Sequence, residues 1–266
     1  MDLGLTGKRA LVTGGSRGIG LAIGRALALE GAAVALLARD EAAVQLMAEE
    51  LAAETGAHVV GVAADTGDDA AVLRAVAEVT ELLGGIDVAV NAAARPASSG
   101  PALSAIETTD DRVREELEVK LLGYLRVARA VAPQMIDRGW GRIVNVSGLN
   151  ARRSGSVAGS VRNVAVAALT KNLADELGPL GVNVTVVHPG LTRTERTPGM
   201  VAARAEKDGS SAQDAEAALV ADVSIGRMVD AAEVADVVAF LASPRSVAIN
   251  GDAIAAGGGQ LGPIFY

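Results

Sequence analysis

Short apolar runs alternate with longer amphipathic stretches from one end of the chain to the other, which leaves few folds open. ALVTGG (10–15), AAVALLAR (32–39), HVVGVAAD (58–65), IDVAVNAA (86–93), GRIVNVSG (141–148), VNVTVVHPG (182–190) and AINGDAIAAGGG (248–259) read as strands. Helical patterns fill the intervals at 20–31, 40–56, 68–85, about 110–137, 160–178 and 231–243, with a polar helical segment at about 199–221. Parallel strands need long crossovers, so strict βα alternation predicts an α/β fold, a parallel sheet with helices on both faces. Half of the 266 residues are hydrophobic but only 2% are aromatic. The core must therefore come from Ala, Val, Leu and Ile, which suits strands buried on both faces. There is no internal repeat and no linker, so residues 1–266 read as one domain.

The same composition narrows function. The net charge is −8 and no stretch gathers Lys and Arg, so a nucleic-acid partner is not expected. No apolar run approaches the ~20 residues of a membrane span, and MDLGLTGKR lacks the apolar core of a signal peptide. The expectation is a soluble cytoplasmic protein with no membrane partner. There is no cysteine, and His58 and His188 are the only histidines, so neither thiolate chemistry nor a metal site is expected.

TGGSRGIG (13–20) ends the first strand and opens the first helix. Glycines at 14, 18 and 20 let the backbone, with Ser16, Arg17 and Ile19, approach a pyrophosphate. The helix N-terminus offers it unpaired N–H groups and a positive dipole end. That strand-turn-helix setting separates a dinucleotide site from an ordinary tight turn. An acidic residue ending the second strand would bind the ribose diol of NAD, but Ala38 stands there, followed by Arg39. Arg17 and Arg39 together suit bidentate recognition of a 2′-phosphate, which points to NADP(H). The alternative is that both are solvated surface residues.

Thr-Gly, three residues, then Gly-Ile-Gly resembles the short-chain dehydrogenase/reductase family. Asp65-Thr66 looks like its adenine contact, and DVAVNAA (87–93) like its Asn-Asn-Ala-Gly strand end, with Asn91 kept and Ala92 in place of the second Asn. HPGLTRT (188–194) resembles its Pro-Gly-x-x-x-Thr cofactor loop, through Pro189, Gly190 and Thr194, the last placed to contact the nicotinamide amide. Residues 225–243 and 249–259 resemble its C-terminal helix and last strand, so the likeness covers nearly the whole chain. It implies a Rossmann-type doubly wound sheet of about seven strands and a substrate lid at about 192–222. It also implies hydride transfer to or from a carbonyl- or alcohol-like small molecule, and a homotetramer or dimer.

The resemblance also implies an active-site tetrad: a helical Asn, a Ser after the fifth strand, and Tyr and Lys four apart on the next helix. Aligned on ALTKNLADELG (168–178), the tyrosine position falls on Gly159 and the lysine position on Asn163. The helical Asn falls on Lys120. The Ser falls on Ser147 or Gly148, a one-residue shift that matters because strand neighbours point to opposite faces. The only tyrosines are Tyr124 and Tyr266, so no shift restores a Tyr-x-x-x-Lys pair.

The catalytic candidates are then Lys120, Ser147 and Asn163, with Asn163 also near the cofactor. Lys120 can restore a positive charge beside the nicotinamide ribose or, partly buried, donate a proton; the alternative is that it lies on a solvated or subunit-contact face. Tyr124, one turn on, is a surrogate acid or a packing residue. Arg162 and Asn163 can belong to a helix start capped by Ser160. His188 is a general acid or acts through its backbone. Arg193, Glu195 and Arg196 read a polar substrate or form a solvated charge run. Three functions remain open: an oxidoreductase with a rearranged site, a non-catalytic NADP(H)-binding sensor or scaffold, and a non-redox enzyme on the same fold.

Overall fold

The computed structural model describes residues 2–94, 103–262 and 264. The elements run β1 (Arg9–Thr13), α1 (Gly18–Leu29), β2 (Ala33–Ala38), α2 (Glu41–Thr55), β3 (Val59–Ala63), α3 (Asp69–Leu83), β4 (Val88–Asn91), α4 (Asp110–Leu117), α5 (Gly123–Asp137), β5 (Gly141–Val146), α6 (Val157–Leu177) and β6 (Val182–Pro189). They continue with β7 (Thr192–Arg193), α7 (Thr197–Asp208), α8 (Ala212–Val220), β8 (Val229–Asp230), α9 (Ala231–Ala242) and β9 (Ala253–Ala256). Seven strands form one parallel sheet in the order β3-β2-β1-β4-β5-β6-β9. The chain winds outward from β1 in one direction and, from β4, in the other. β1 and β4 lie side by side with Thr13 opposite Asn91, and their C-terminal ends mark the switch point where such sheets bind ligands.

Alternate strand residues feed two aliphatic cores. Val12, Val34 and Val90 pack with Ile23 and Leu27 of α1 and Val238 of α9. Leu11, Ala35 and Ala89 pack on the other face with Val79 of α3, Val131 of α5 and Leu177 of α6. Side chains cap the starts of α2 and α3, where Asp40 and Asp68 accept from Ala43 N and Ala71 N, and left-handed Gly56 and Gly84 end them. Residues 192–229 add a small cluster of their own around Val201, Ala205, Ala215 and Met228. Among the described residues no helix is long and apolar enough to cross a membrane.

Four local features differ from the sequence reading. The helix over 110–137 is interrupted by a π turn at Glu118–Leu122. The sixth long helix starts at Val157, capped by Ser156 rather than Ser160: the Ser156 hydroxyl accepts from Gly159 N at 3.1 Å, while the Ser160 hydroxyl donates to Ser156 O at 2.7 Å. The last strand keeps only four residues, because at its start Asn250 substitutes a side chain for the ladder, accepting from Val184 N at 2.8 Å. A two-residue ladder pairs β7 with β8, too short to leave a periodic signal. The Pro-, Ser- and Gly-rich loop after β4 and Tyr266 lie largely outside the described residues.

A methyl group at Gly20 would sit 2.2 Å from Gly14 O, whereas one at Gly199 in α7 would meet nothing within 4 Å. Gly20→Ala is therefore expected to cost ~1–3 kcal/mol, and Gly199→Ala to stabilise by about 0.5–1 kcal/mol. Thermal denaturation of the two variants should move the midpoint in opposite directions.

Candidate functional site

A cleft of about 590 Å³ opens at the switch point. Gly14, Ser16, Arg17, Gly18, Ile19, Gly20, Arg39, Asp65, Thr66 and Thr194 all line it, as do Val119, Glu195 and Arg196. Thr13 builds its floor: the hydroxyl accepts from Ala92 N at 3.1 Å and Ala93 N at 3.2 Å, tying the loop after β4 to the end of β1. Gly14 turns away from that floor at φ +69°, and a Cβ there would lie 2.9 Å from Ala92 O and Ala93 N. No side chain caps the first turn of α1, so its N–H groups remain available to an anion. The loop thus fits a dinucleotide pyrophosphate. Farther along, Asp65 accepts from Gly67 N at 2.9 Å, and Thr66 is buried with its carbonyl accepting from Arg126 at 3.3 Å. Arg17 and Arg39 are exposed with no ion-pair partner among the described residues. Asp40, the acid beside them, is engaged as the cap of α2.

The other predicted residues lie behind the cleft. Asn91, Pro189, Lys120, Ser147 and Asn163 are buried, and with Gly190 they stand outside its lining. They belong to a polar layer between the C-terminal ends of the central strands and the helices α5 and α6. Lys120 sits in the π turn next to Val119, is only 5% exposed, and donates from Nζ to Ser147 O at 2.7 Å. This corrects the reading of Lys120 as a solvated residue. Ser147 Oγ donates to Asn163 O at 3.1 Å. Asn91 Nδ2 donates to Asn145 Oδ1, Asn145 Nδ2 to Thr170 Oγ1, each at 2.9 Å, and Thr170 to Val166 O at 2.8 Å. Asn91 Oδ1, Asn163 Oδ1 and His188 Nδ1 have no partner among the described residues. A Cβ on Gly159 would meet Ser156 Oγ at 3.0 Å and Asn150 Nδ2 at 3.1 Å, so polar side chains of the preceding loop fill that space.

Burial sets the electrostatics of this layer. It pushes the Lys120 amine down to about 7; positive Arg162 adds to the effect and Glu116 opposes it. Burial, Arg152 and Lys120 hold His188 down at about 4, so it is a neutral imidazole at physiological pH. Tyr124 is pushed up by burial, donates to Val146 O at 2.9 Å and packs with Val166 and Val186. Arg162 and Asn163 lie past the first turn of α6 rather than at its cap, and Arg162 pairs with Glu116 of α4. Arg193 pairs with Glu216 and, at 3.6 Å, with Asp230, and it stands outside the cleft lining. Glu116, Asn145 and Thr170 were missed by the sequence reading, although Asn145 stands two residues before Ser147 at the end of β5 and Glu116 stands one helical turn before Lys120.

A family model described as short chain dehydrogenase matches residues 8–205. The chain belongs to the short-chain dehydrogenase family. Curated relatives agree over nearly full length. A putative ketoacyl reductase of Streptomyces coelicolor is 34% identical over 94% of this chain and 95% of its own. The oxidoreductase UcpA of Salmonella typhimurium is 35% identical over 97% and 96%. Among solved structures, L-sorbose reductase from Gluconobacter frateurii complexed with NADPH and L-sorbose superposes with a TM-score of 0.91 at 29% identity, covering 99% of this chain and 100% of that one. An actinorhodin polyketide ketoreductase variant with NADPH gives 0.86 at 32% identity, over 94% and 96%. Short-chain dehydrogenases are oxidoreductases, and the seven-stranded sheet described above is theirs.

Lys120 also sets a pH dependence of stability. Between its folded value near 7 and its ordinary 10.5, the unfolded chain holds a proton that the folded chain does not, so this residue makes stability rise with pH across that window. Lys120→Met should flatten the rise in the denaturation midpoint from pH 7 to 10. A wild-type slope retained in the variant would show that the amine keeps its ordinary proton affinity in the fold.

Proposed function

We propose that this short-chain dehydrogenase is a cytoplasmic NADP(H)-dependent oxidoreductase acting on a small carbonyl- or alcohol-like substrate through a rearranged active site, with Lys120 in the role of the missing tyrosine and lysine. The observation that carries this reading is a buried lysine of near-neutral proton affinity placed next to a cleft-lining residue. The glycine loop and the first turn of α1 would hold the pyrophosphate, Asp65 and Thr66 the adenine, and Arg17 and Arg39 the 2′-phosphate. Thr194 of the cleft and the nearest side of the polar layer, with Asn163, Asn91, Pro189 and Gly190, would face the nicotinamide. When bound, the cofactor supplies or accepts a hydride.

The chain's own task is then the proton. An ammonium has three donors, so Lys120 can keep one on Ser147 O while offering another to the oxygen that gains negative charge. An amine with a pKa near 7 exists in both protonation states at neutral pH, which is where a general acid or base works best. Ser147 fixes that amine through its carbonyl, and its hydroxyl ties the end of β5 to α6. Burial excludes water from the layer and strengthens these interactions. Exposed Leu122, Val161 and Val164 on the π turn and α6 support assembly with a second copy.

One observation favours a second reading, the non-catalytic sensor or scaffold: Lys120, Ser147 and Asn163 all lie outside the cleft lining. Titration with NADPH and NADH, followed by cofactor fluorescence, separates the possibilities. NADPH should bind selectively, and replacing Arg17 and Arg39 by Ala should weaken it by about 10-fold or more, as loss of charge-assisted bonds does, with NADH unchanged. Lys120→Met should lower turnover by ~10²–10⁴-fold. Selective binding without turnover over a broad carbonyl and alcohol panel favours the sensor, and no binding of either cofactor overturns both readings.

A further inference from the structure

The cleft holds one negative charge that the scheme above leaves unused. Among the described residues three carboxylates line it, those of Asp40, Asp65 and Glu195. Asp40 accepts from Ala43 N at 3.1 Å and Asp65 from Gly67 N at 2.9 Å, so both are engaged by the backbone. Glu195, half-exposed, has the Arg196 guanidinium 3.9 Å away and no hydrogen bond among the described residues. Both of its carboxylate oxygens lie 3.9 Å from the point that a Cβ on Gly18 would occupy. Gly18 opens α1, whose first turn has neither a side-chain cap nor an acid of its own, whereas α2 and α3 carry both. The carboxylate at the positive end of α1 is thus supplied by the segment after β6. The turn that presents it is fixed: Thr194 N donates to Thr197 Oγ1 at 2.9 Å and Thr197 N to Thr194 O at 3.0 Å. Only the Glu195 side chain has to move to clear the glycine loop.

We propose that Glu195 is a gate on the cofactor site, an internal anion at the mouth of the glycine loop that the cofactor pyrophosphate must displace. The inference rests on the reading of that loop as the pyrophosphate cradle. A pyrophosphate brings two further negative charges to a place that already holds a carboxylate, and like charges at such distances repel. Glu195 swings out as the cofactor enters, and the Arg196 guanidinium it leaves behind pairs with phosphate oxygens instead. Entry therefore exchanges one ion pair for another at the residue that precedes α7. The gate acts on the pyrophosphate common to NADP(H) and NAD(H), so it lowers affinity for both alike. Arg17 and Arg39, by contrast, act on the 2′-phosphate that only one of them carries.

Equilibrium titrations of the intact protein with NADPH and with NADH, at low and at raised salt, test the gate without any turnover. Glu195→Gln keeps the size of the side chain and removes its charge. It should tighten both cofactors by a common factor of about 2–5-fold at low salt, and the gain should shrink as salt rises. Arg196→Ala should weaken both. Glu206→Gln, exposed on α7 and outside the cleft lining, removes the same unit of charge and should change neither. Binding left unchanged by Glu195→Gln overturns the gate, and binding weakened by it makes Glu195 a cofactor ligand instead. A gain confined to one cofactor, or one that salt does not reduce, overturns it as well. Arg196→Ala with unaltered affinity overturns the exchange of partners. Absence of binding in wild type and Glu195→Gln alike overturns the reading of the glycine loop itself.

Discussion

A parallel sheet has to be covered on both faces, and nearly everything else in this protein follows from that constraint. Hydrogen-bonded strands such as Leu11-Val12 or Ala89-Val90 send alternate side chains into different cores, so the few polar residues within strands, such as Asn145 and Arg142, are hydrogen-bonded. Packing at that density favours small aliphatic side chains, which explains a core with almost no aromatic rings. The crossover helices that do the covering leave the C-terminal edge of the sheet as the place where strands end, loops begin and backbone N–H groups lack partners. Chemistry is confined to that edge because the rest of the sheet is sealed.

At the edge two environments meet. The outer one is open, glycine-rich and built from backbone, and its shape is dictated by close approaches such as that of Gly14 to the chain after β4. The inner one is closed and built from side chains: Asn91, Asn145 and Thr170 form one hydrogen-bonded line, and Lys120, Ser147 and Asn163 another. Buried polar networks of this kind are costly when incomplete, and three atoms of this one have no partner among the described residues. A protein that used these positions only for packing would be more stable with aliphatic side chains there. Their retention is coherent with use of the layer by a ligand or by the proton proposed for Lys120.

The outer environment was legible in the sequence because it depends on local pattern. TGGSRGIG shows its turn and its helix start in eight consecutive residues, and the residues identified there line the cleft. The inner environment depends on how helices dock, and periodicity does not encode that. Lys120 occupies a helical position that sequence alone leaves free to face solvent or core; the packing of α6 and the extra residue of the π turn decide it. Ser156 outcompeted Ser160 as a cap for a similar reason, since the cap is set by where the preceding loop lets the helix begin. Arg193 looked available only because Glu216 and Asp230, distant in sequence, were not visible beside it.

The lone tryptophan stands at the opposite edge. Trp140 precedes β5, with Lys8 Nζ 4.0 Å and the Arg142 guanidinium carbon 4.8 Å from its ring centre. The six residues of β5 separate it from the cleft by about 20 Å. Its emission therefore monitors the N-terminal edge of the sheet, where it lines a second pocket with Lys8, Arg9 and Asp87, while a reduced nicotinamide carries its own fluorescence. Tryptophan emission would report collapse of the scaffold and the fluorescence of a bound reduced nicotinamide the occupancy of its rim, two signals for two different events with no label to engineer in.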